Sequence, residues 1–203
     1  MRSFVRFIVA PFALALLFIA WTAPPASAQY YVVRRNPDYQ SVGLNLGLDL
    51  EGAGDVTPPQ STADSGGGGF KLRIGAEIRR PWLRIIPEGG FGFTHLFVND
   101  PVGNSVGWNM ERLFGGVRIG FGEVVVPILY AHVGYGWRAS GSDANGLTPY
   151  ASGGGLTADG GVGLDFHLIR HFGFGIHAEY VTVQAAPAVP DWIAVGAHLD
   201  LRF

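Results

Sequence analysis

From Ser41 onward, apolar and polar positions alternate with period two, the spacing that puts successive side chains on opposite faces of a strand. The pattern is cleanest at the end of the chain. There Ile193, Val195, Ala197, Leu199, Leu201 and Phe203 fall on one face, and Trp192, Ala194, Gly196, His198, Asp200 and Arg202 on the other. Seven earlier stretches, at roughly 42–51, 70–79, 83–97, 112–121, 125–138, 156–168 and 172–180, repeat it. The intervening segments alternate in length. Long Gly-, Pro- and Ser-rich loops are expected at roughly 51–69, 98–107, 139–154 and 184–191, and short turns at Arg80-Pro81, 122–123 and 169–171. Eight amphipathic strands joined alternately by long and short connections predict an all-β, antiparallel, up-and-down barrel. Pro87 and Pro127 interrupt this picture, since each removes a ladder donor inside a predicted strand. A bulge at either would accommodate it and could shift the phase beyond.

Alternation alone does not say which face is inside. Three features point the apolar face outward, to lipid. Glycines such as Gly43, Gly47, Gly116, Gly161, Gly175 and Gly196 concentrate on the polar face. There they weaken a water-exposed strand without return but leave room for long neighbours in a narrow lumen. Aromatic residues gather at both ends of the apolar faces, with Phe121, Phe166, Phe172 and Phe203 at one end and Phe70, Phe97, Tyr135, Trp137 and Tyr180 at the other, as two interfacial girdles would. Trp82, Trp108 and Trp192 fall in the polar phase and fit less well. Lastly, Lys71, Arg73, Arg79, Arg84, Arg112, Arg118, Arg138 and Arg202 on the polar faces are matched by Asp49, Glu51, Glu77, Glu88, Asp159, Asp165, Glu179 and Asp200. An enclosed lumen requires that kind of pairing. Leu46, Ile74, Phe93, Ile119, Val133, Leu164, Ile176 and Leu199 are expected on the outer wall.

The first 28 residues have the organisation of a cleavable secretory signal: Arg2 and Arg6, an apolar stretch from Phe7 to Ala20, and Ala26-Ser27-Ala28 as the small-residue cleavage site. Residues 29–40 are a polar-aromatic leader expected in the periplasm, and 41–203 the barrel. Within this framework the terminal strand, with Leu199, Leu201 and Phe203 on its apolar face, resembles that of bacterial outer-membrane β-barrel proteins. The whole of 41–203 is similar to the small eight-stranded OmpA/OmpX type. The resemblance implies a Gram-negative outer-membrane location with both termini periplasmic, outer-membrane lipid around the wall, and a monomer. It also implies recognition by the barrel-assembly machinery through Phe203, Leu201 and Leu199.

The formal charge of −2 gives no basic patch for nucleic acid, and the absence of cysteine removes disulfides, thiol catalysis and cysteine metal sites. His132, His167, His177 and His198 point inward in this reading. They are expected to be hydrogen-bonded lumen residues rather than metal ligands, even though Asp165, His167, His198 and Asp200 should lie near one another. His95 lies on the apolar face near Ser105 and Glu111, but no spacing recommends these three as a nucleophilic set. No catalytic residue, cofactor or metal is therefore expected. The leading function is a non-enzymatic structural or surface-interacting outer-membrane protein whose lumen is plugged by ion pairs among Glu77, Arg84, Arg73, Glu88, Arg112, Arg118, Arg138 and Glu179. A narrow channel for ions or small solutes is the alternative. A lipid-modifying enzyme and a soluble lipocalin-like barrel rank lower. If Arg80 and Pro81 form a two-residue turn, Glu77 should stand opposite Arg84, Arg73 opposite Glu88 and Phe70 opposite Phe91.

Overall fold

Phe203 closes the molecule on itself. Its amide donates to the Leu44 carbonyl at 3.0 Å and its carbonyl accepts from the Leu44 amide at 2.9 Å, so the last residue is stitched to the first strand. In this computed structural model the strands are β1 (Ser41–Asp55), β2 (Ser65–Arg79), β3 (Leu83–Asn99), β4 (Ser105–Phe121), β5 (Val125–Arg138), β6 (Gly153–Ile169), β7 (Phe172–Ala185) and β8 (Trp192–Arg202). Each pairs antiparallel with its neighbours in the chain, and β8 returns to β1 in one closed barrel. The structure describes residues 41–56, 65–99, 105–138, 153–169, 171–185 and 191–203. The expected signal, the leader and the centres of the four long loops lie outside the described residues.

The strands reach further than the alternation suggested. β1 runs to Asp55 and β2 begins at Ser65, so Gly66 to Gly69, expected in a loop, are ladder residues opposite Gly54 to Glu51. β3 and β4 likewise extend to Asn99 and from Ser105. The four long connections share one end of the barrel, the loop end. The short turns and both strand termini share the other, the turn end.

The outer wall is apolar. All eight residues expected there fall in the outward phase, and Ile74, Val133, Ile176 and Leu199 are exposed. A barrel in lipid leaves such a surface unburied by protein, because the closed ladder and not water pairs the backbone.

The two prolines do not bulge their strands. Pro87 points outward and pairs with Val117, and Pro127 points outward opposite Leu164. Beside Pro87 the ladder to β2 is interrupted between Gly75–Glu88 and Ile78–Ile85, with the same register on both sides. That is the cost of one missing donor. The irregularity occurs instead in β6, where the register to β7 shifts between Phe166 and Ile169.

The β2–β3 register differs from the expected one by two residues. Arg79 stands opposite Arg84, Gly75 opposite Glu88 and Phe70 opposite Phe93. The reason is the turn: the Arg80 amide donates to the Leu83 carbonyl at 2.8 Å, so Pro81 and Trp82, not Arg80 and Pro81, are its central residues. Proline's fixed φ suits the first of those two places. A shift of two keeps every side chain on its face. At the next turn Gly122 adopts φ 114°, where a Cβ would lie 2.8 Å from the Val125 carbonyl oxygen, so glycine is required there.

Candidate functional site

The lumen is the site to build, because the polar face of every strand converges on it. Its middle is charged. Arg73 of β2 is the hub: its guanidinium donates to Asp49 at 2.7–3.0 Å, to Glu88 at 3.2 Å and to Asp200 at 3.2 Å. Arg118 reaches Glu88 at 3.3 Å. Lys71 bonds Glu179 and lies 3.5 Å from Glu51, while Arg112 bonds Asp159 at 3.3 Å and approaches Glu179 at 3.7 Å. His132 lies between two carboxylates, with Nδ1 2.6 Å from Asp159 Oδ1 and Nε2 2.9 Å from Glu88 Oε1. Tyr130 sits at the centre, its hydroxyl on Glu179 at 3.1 Å and its ring beneath Lys71 and Arg118.

Glycine placement makes these contacts possible. Gly47 lies opposite both Arg73 and Asp200, Gly116 opposite both Glu88 and His132, Gly161 opposite both Tyr130 and Glu179, and Gly175 opposite both Asp165 and His198. In each case the two flanking side chains bond over the glycine. Gly69 separates Glu51 from Thr94 in the same way, with a 3.4 Å hydrogen bond across it. Gly196 separates Glu51 from His177, which approach to 3.9 Å. A Cβ on Gly47 would lie 2.5 Å from the Arg73 guanidinium carbon, and one on Gly161 would collide with the Tyr130 ring. The inward glycines are thus gaps through which next-nearest strands reach each other.

The loop end of the network is closed by apolar residues, and a smaller apolar group interrupts it nearer the turn end. At the loop end Ala53, Leu96, Met110, Val181, Val183, Trp192 and Ala194 form a buried cluster, and the Arg112 guanidinium lies 5.4 Å from the Trp192 ring centre. Nearer the turn end Val126 and Ile128 pack below Tyr130. There a cavity of about 10 Å³, room for about one water, is lined by Arg84, Arg118, Arg202, Asp165, Asp200 and Asn45 among others.

The expected plug residues are mostly together. Arg73 and Glu88 pair at 3.2 Å although they are not directly opposed, and Glu77 and Arg84 approach only to 3.8 Å. Glu77 instead accepts from Arg79 at 2.9 Å, and Arg84 contacts His167 and the Glu123 carbonyl. Arg112, Arg118 and Glu179 are in the central network. Arg138 is half-buried at the loop end of β5, opposite Met110 and Gly153. Leu199, Leu201 and Phe203 are exposed on the outer wall. The apolar cap at the loop end was not foreseen, nor was the central place of Tyr130.

On the outer wall His95 Nδ1 faces Asn109 Oδ1 at 2.5 Å, while Glu111 accepts from Trp137 Nε1 at 2.5 Å. These are two separate pairs.

A family model described as outer membrane protein beta-barrel domain matches residues 12–203. Among solved structures the chain is similar to Ail, the attachment invasion locus protein of Yersinia pestis, at 15% identity and TM-score 0.51, covering 81% of this chain and 98% of that one. It is also similar to Neisserial surface protein A, at 15% identity and TM-score 0.47 over 82% of this chain and 100% of that one. OprG from Pseudomonas aeruginosa is similar at 10% identity and TM-score 0.42, over 80% of this chain and 95% of that one. A search of curated protein sequences finds no match. With the matching model spanning the closed eight-stranded barrel, the chain belongs to the outer membrane protein beta-barrel domain family.

Proposed function

We propose that this Gram-negative outer-membrane barrel is a non-enzymatic structural or surface-interacting protein whose lumen is a plug. The observation that supports this reading best is the filling of the interior. Arg112, Lys71, Met110, Leu96 and Trp192 are fully buried inside a wall of eight strands, where water would otherwise stand. Eight strands leave an interior that side chains can fill, and here they do so with charge partnered to charge. The turn end, with both strand termini, faces the periplasm; the loop end faces outward and offers the contact surface. Leu199, Leu201 and Phe203 form the strand presented to the barrel-assembly machinery, and the protein works as a monomer.

The alternative, a narrow channel, draws on the turn-end cavity and on two guanidinium nitrogens facing the interior, Arg118 Nη1 and Arg202 Nη2, that have no hydrogen-bond partner. Solute release separates the two. Proteoliposomes holding the protein and loaded with a small sugar should retain it as well as protein-free vesicles do. Release that scales with protein content would favour the channel.

A further inference from the structure

We propose that Asp165, His198 and Asp200 form a binding site for one divalent transition-metal ion of the zinc class, clipping β6 to β8 inside the lumen. Asp165 and His198 come together because both stand opposite Gly175 of β7. Asp200 follows His198 by two residues and so shares its face. His198 Nε2 is 2.8 Å from Asp165 Oδ1 and 3.5 Å from Asp200 Oδ2, and the three ligand atoms lie within 4.8 Å of one another. The 2.8 and 3.5 Å separations bracket the roughly 3.4 Å between neighbouring ligand atoms of a tetrahedral ion with bonds of about 2.0–2.2 Å, so small side-chain shifts bring the three onto one ion.

Two of the three atoms not used for ligation are within hydrogen-bond reach of a neighbour, and the third stands slightly further from one. His198 Nδ1 lies 3.3 Å from His177 Nδ1, Asp200 Oδ1 accepts from Arg73 at 3.2 Å, and Asp165 Oδ2 is 3.6 Å from His167 Nε2. Outer contacts of this kind fix the orientation of metal ligands. A Cβ at Gly175 would stand 2.5 Å from His198 Nε2, so the pocket exists only because that position is glycine.

A separate observation stands beside the cluster, in a cavity that its two carboxylates line and His198 does not. The turn-end cavity is lined by Asp165 and Asp200 together with Asn45, which is 2% exposed and whose Oδ1 has no hydrogen-bond partner. That oxygen, or a water held by it, supplies a further donor. Arg84, Arg118 and Arg202 line the same cavity and oppose a cation held by charge alone. The site therefore selects an ion that bonds imidazole well and rejects magnesium, which favours all-oxygen sites and keeps its waters.

The test uses the folded, tag-free protein in detergent micelles. Zn²⁺ is titrated in competition with a chromogenic chelator, with Mg²⁺ in parallel. The expected result is one Zn²⁺ per barrel at micromolar concentration, no Mg²⁺ binding, and affinity at least about tenfold weaker in His198→Gln and Asp165→Asn. Folding of both variants is checked by heat-modifiable gel migration. If neither folds, imidazole ¹⁵N spectra of the unaltered protein decide: Zn²⁺ should move the His198 Nε2 resonance and leave His132 in place. No binding by the unaltered protein, full-strength binding by both folded variants, or a Zn²⁺ response confined to His95 or His171 would overturn the site.

Discussion

Glu88 Oε1 and His132 Nε2 meet at 2.9 Å over Gly116, the residue that stands opposite both. A Cβ on Gly116 would lie 2.7 Å from the His132 Cα and collide with the Ala131 carbonyl oxygen. At the neighbouring outward position, Gly115, the nearest atom to an added Cβ is 3.8 Å away. Gly116→Ala should therefore destabilise the barrel by about 1–3 kcal/mol, the usual cost of overpacking, and Gly115→Ala should be close to neutral. Urea unfolding in lipid vesicles compares the two; equal effects would mean that the lumen glycines are not needed as gaps.

Arg73 holds Asp49, Glu88 and Asp200 together. Arg73→Ala leaves three buried carboxylates without their common partner and should cost about 3–5 kcal/mol. Adding Asp49→Ala should cost less than the sum of the single changes, because the two residues share three hydrogen bonds. A double-mutant cycle by equilibrium unfolding measures this coupling. Additive effects would show that the network is a set of independent pairs.

Much of this was legible in the chain. Period two fixed the faces of all eight strands, and it did so without the correct β2–β3 register, because an error of two residues preserves the face of Arg73, Glu77, Arg84 and Glu88. The pairings themselves depended on which residues occupy one turn, and Arg80-Pro81-Trp82 allows two answers. The loop-end cap was hidden for another reason. Leu96 points in and Phe97 points out, and where both faces are apolar the alternation disappears. Trp192 looked misplaced for a girdle because it is inside. The bonds over glycine could not be read from one strand, since each needs the registers of two ladders at once.

Val133 lies in the middle of β5 on the outer wall and is 70% exposed to the surroundings of the barrel. Val133→Arg should destabilise the protein in bilayers by about 2–4 kcal/mol if that position is near the midplane. The same substitution in detergent, where the belt is thinner and more adaptable, should cost less. Unchanged stability in bilayers would contradict the lipid-facing assignment.

Trp192 fills the loop end of the lumen against Met110, Leu96 and the Arg112 guanidinium. Trp192→Ala should cost about 3–5 kcal/mol through the void it leaves, with heat-modifiable migration retained at low temperature. A variant as stable as the parent would place the side chain outside the packed interior.

The central claim is that the lumen is closed along its length, and single-channel recording in a planar lipid bilayer tests it most directly. The purified protein should insert and give a flat trace, with no steady current above the bare-membrane level at any moderate voltage. Reproducible open steps of uniform size, scaling with salt concentration, would show a continuous aqueous path through the network and contradict the account.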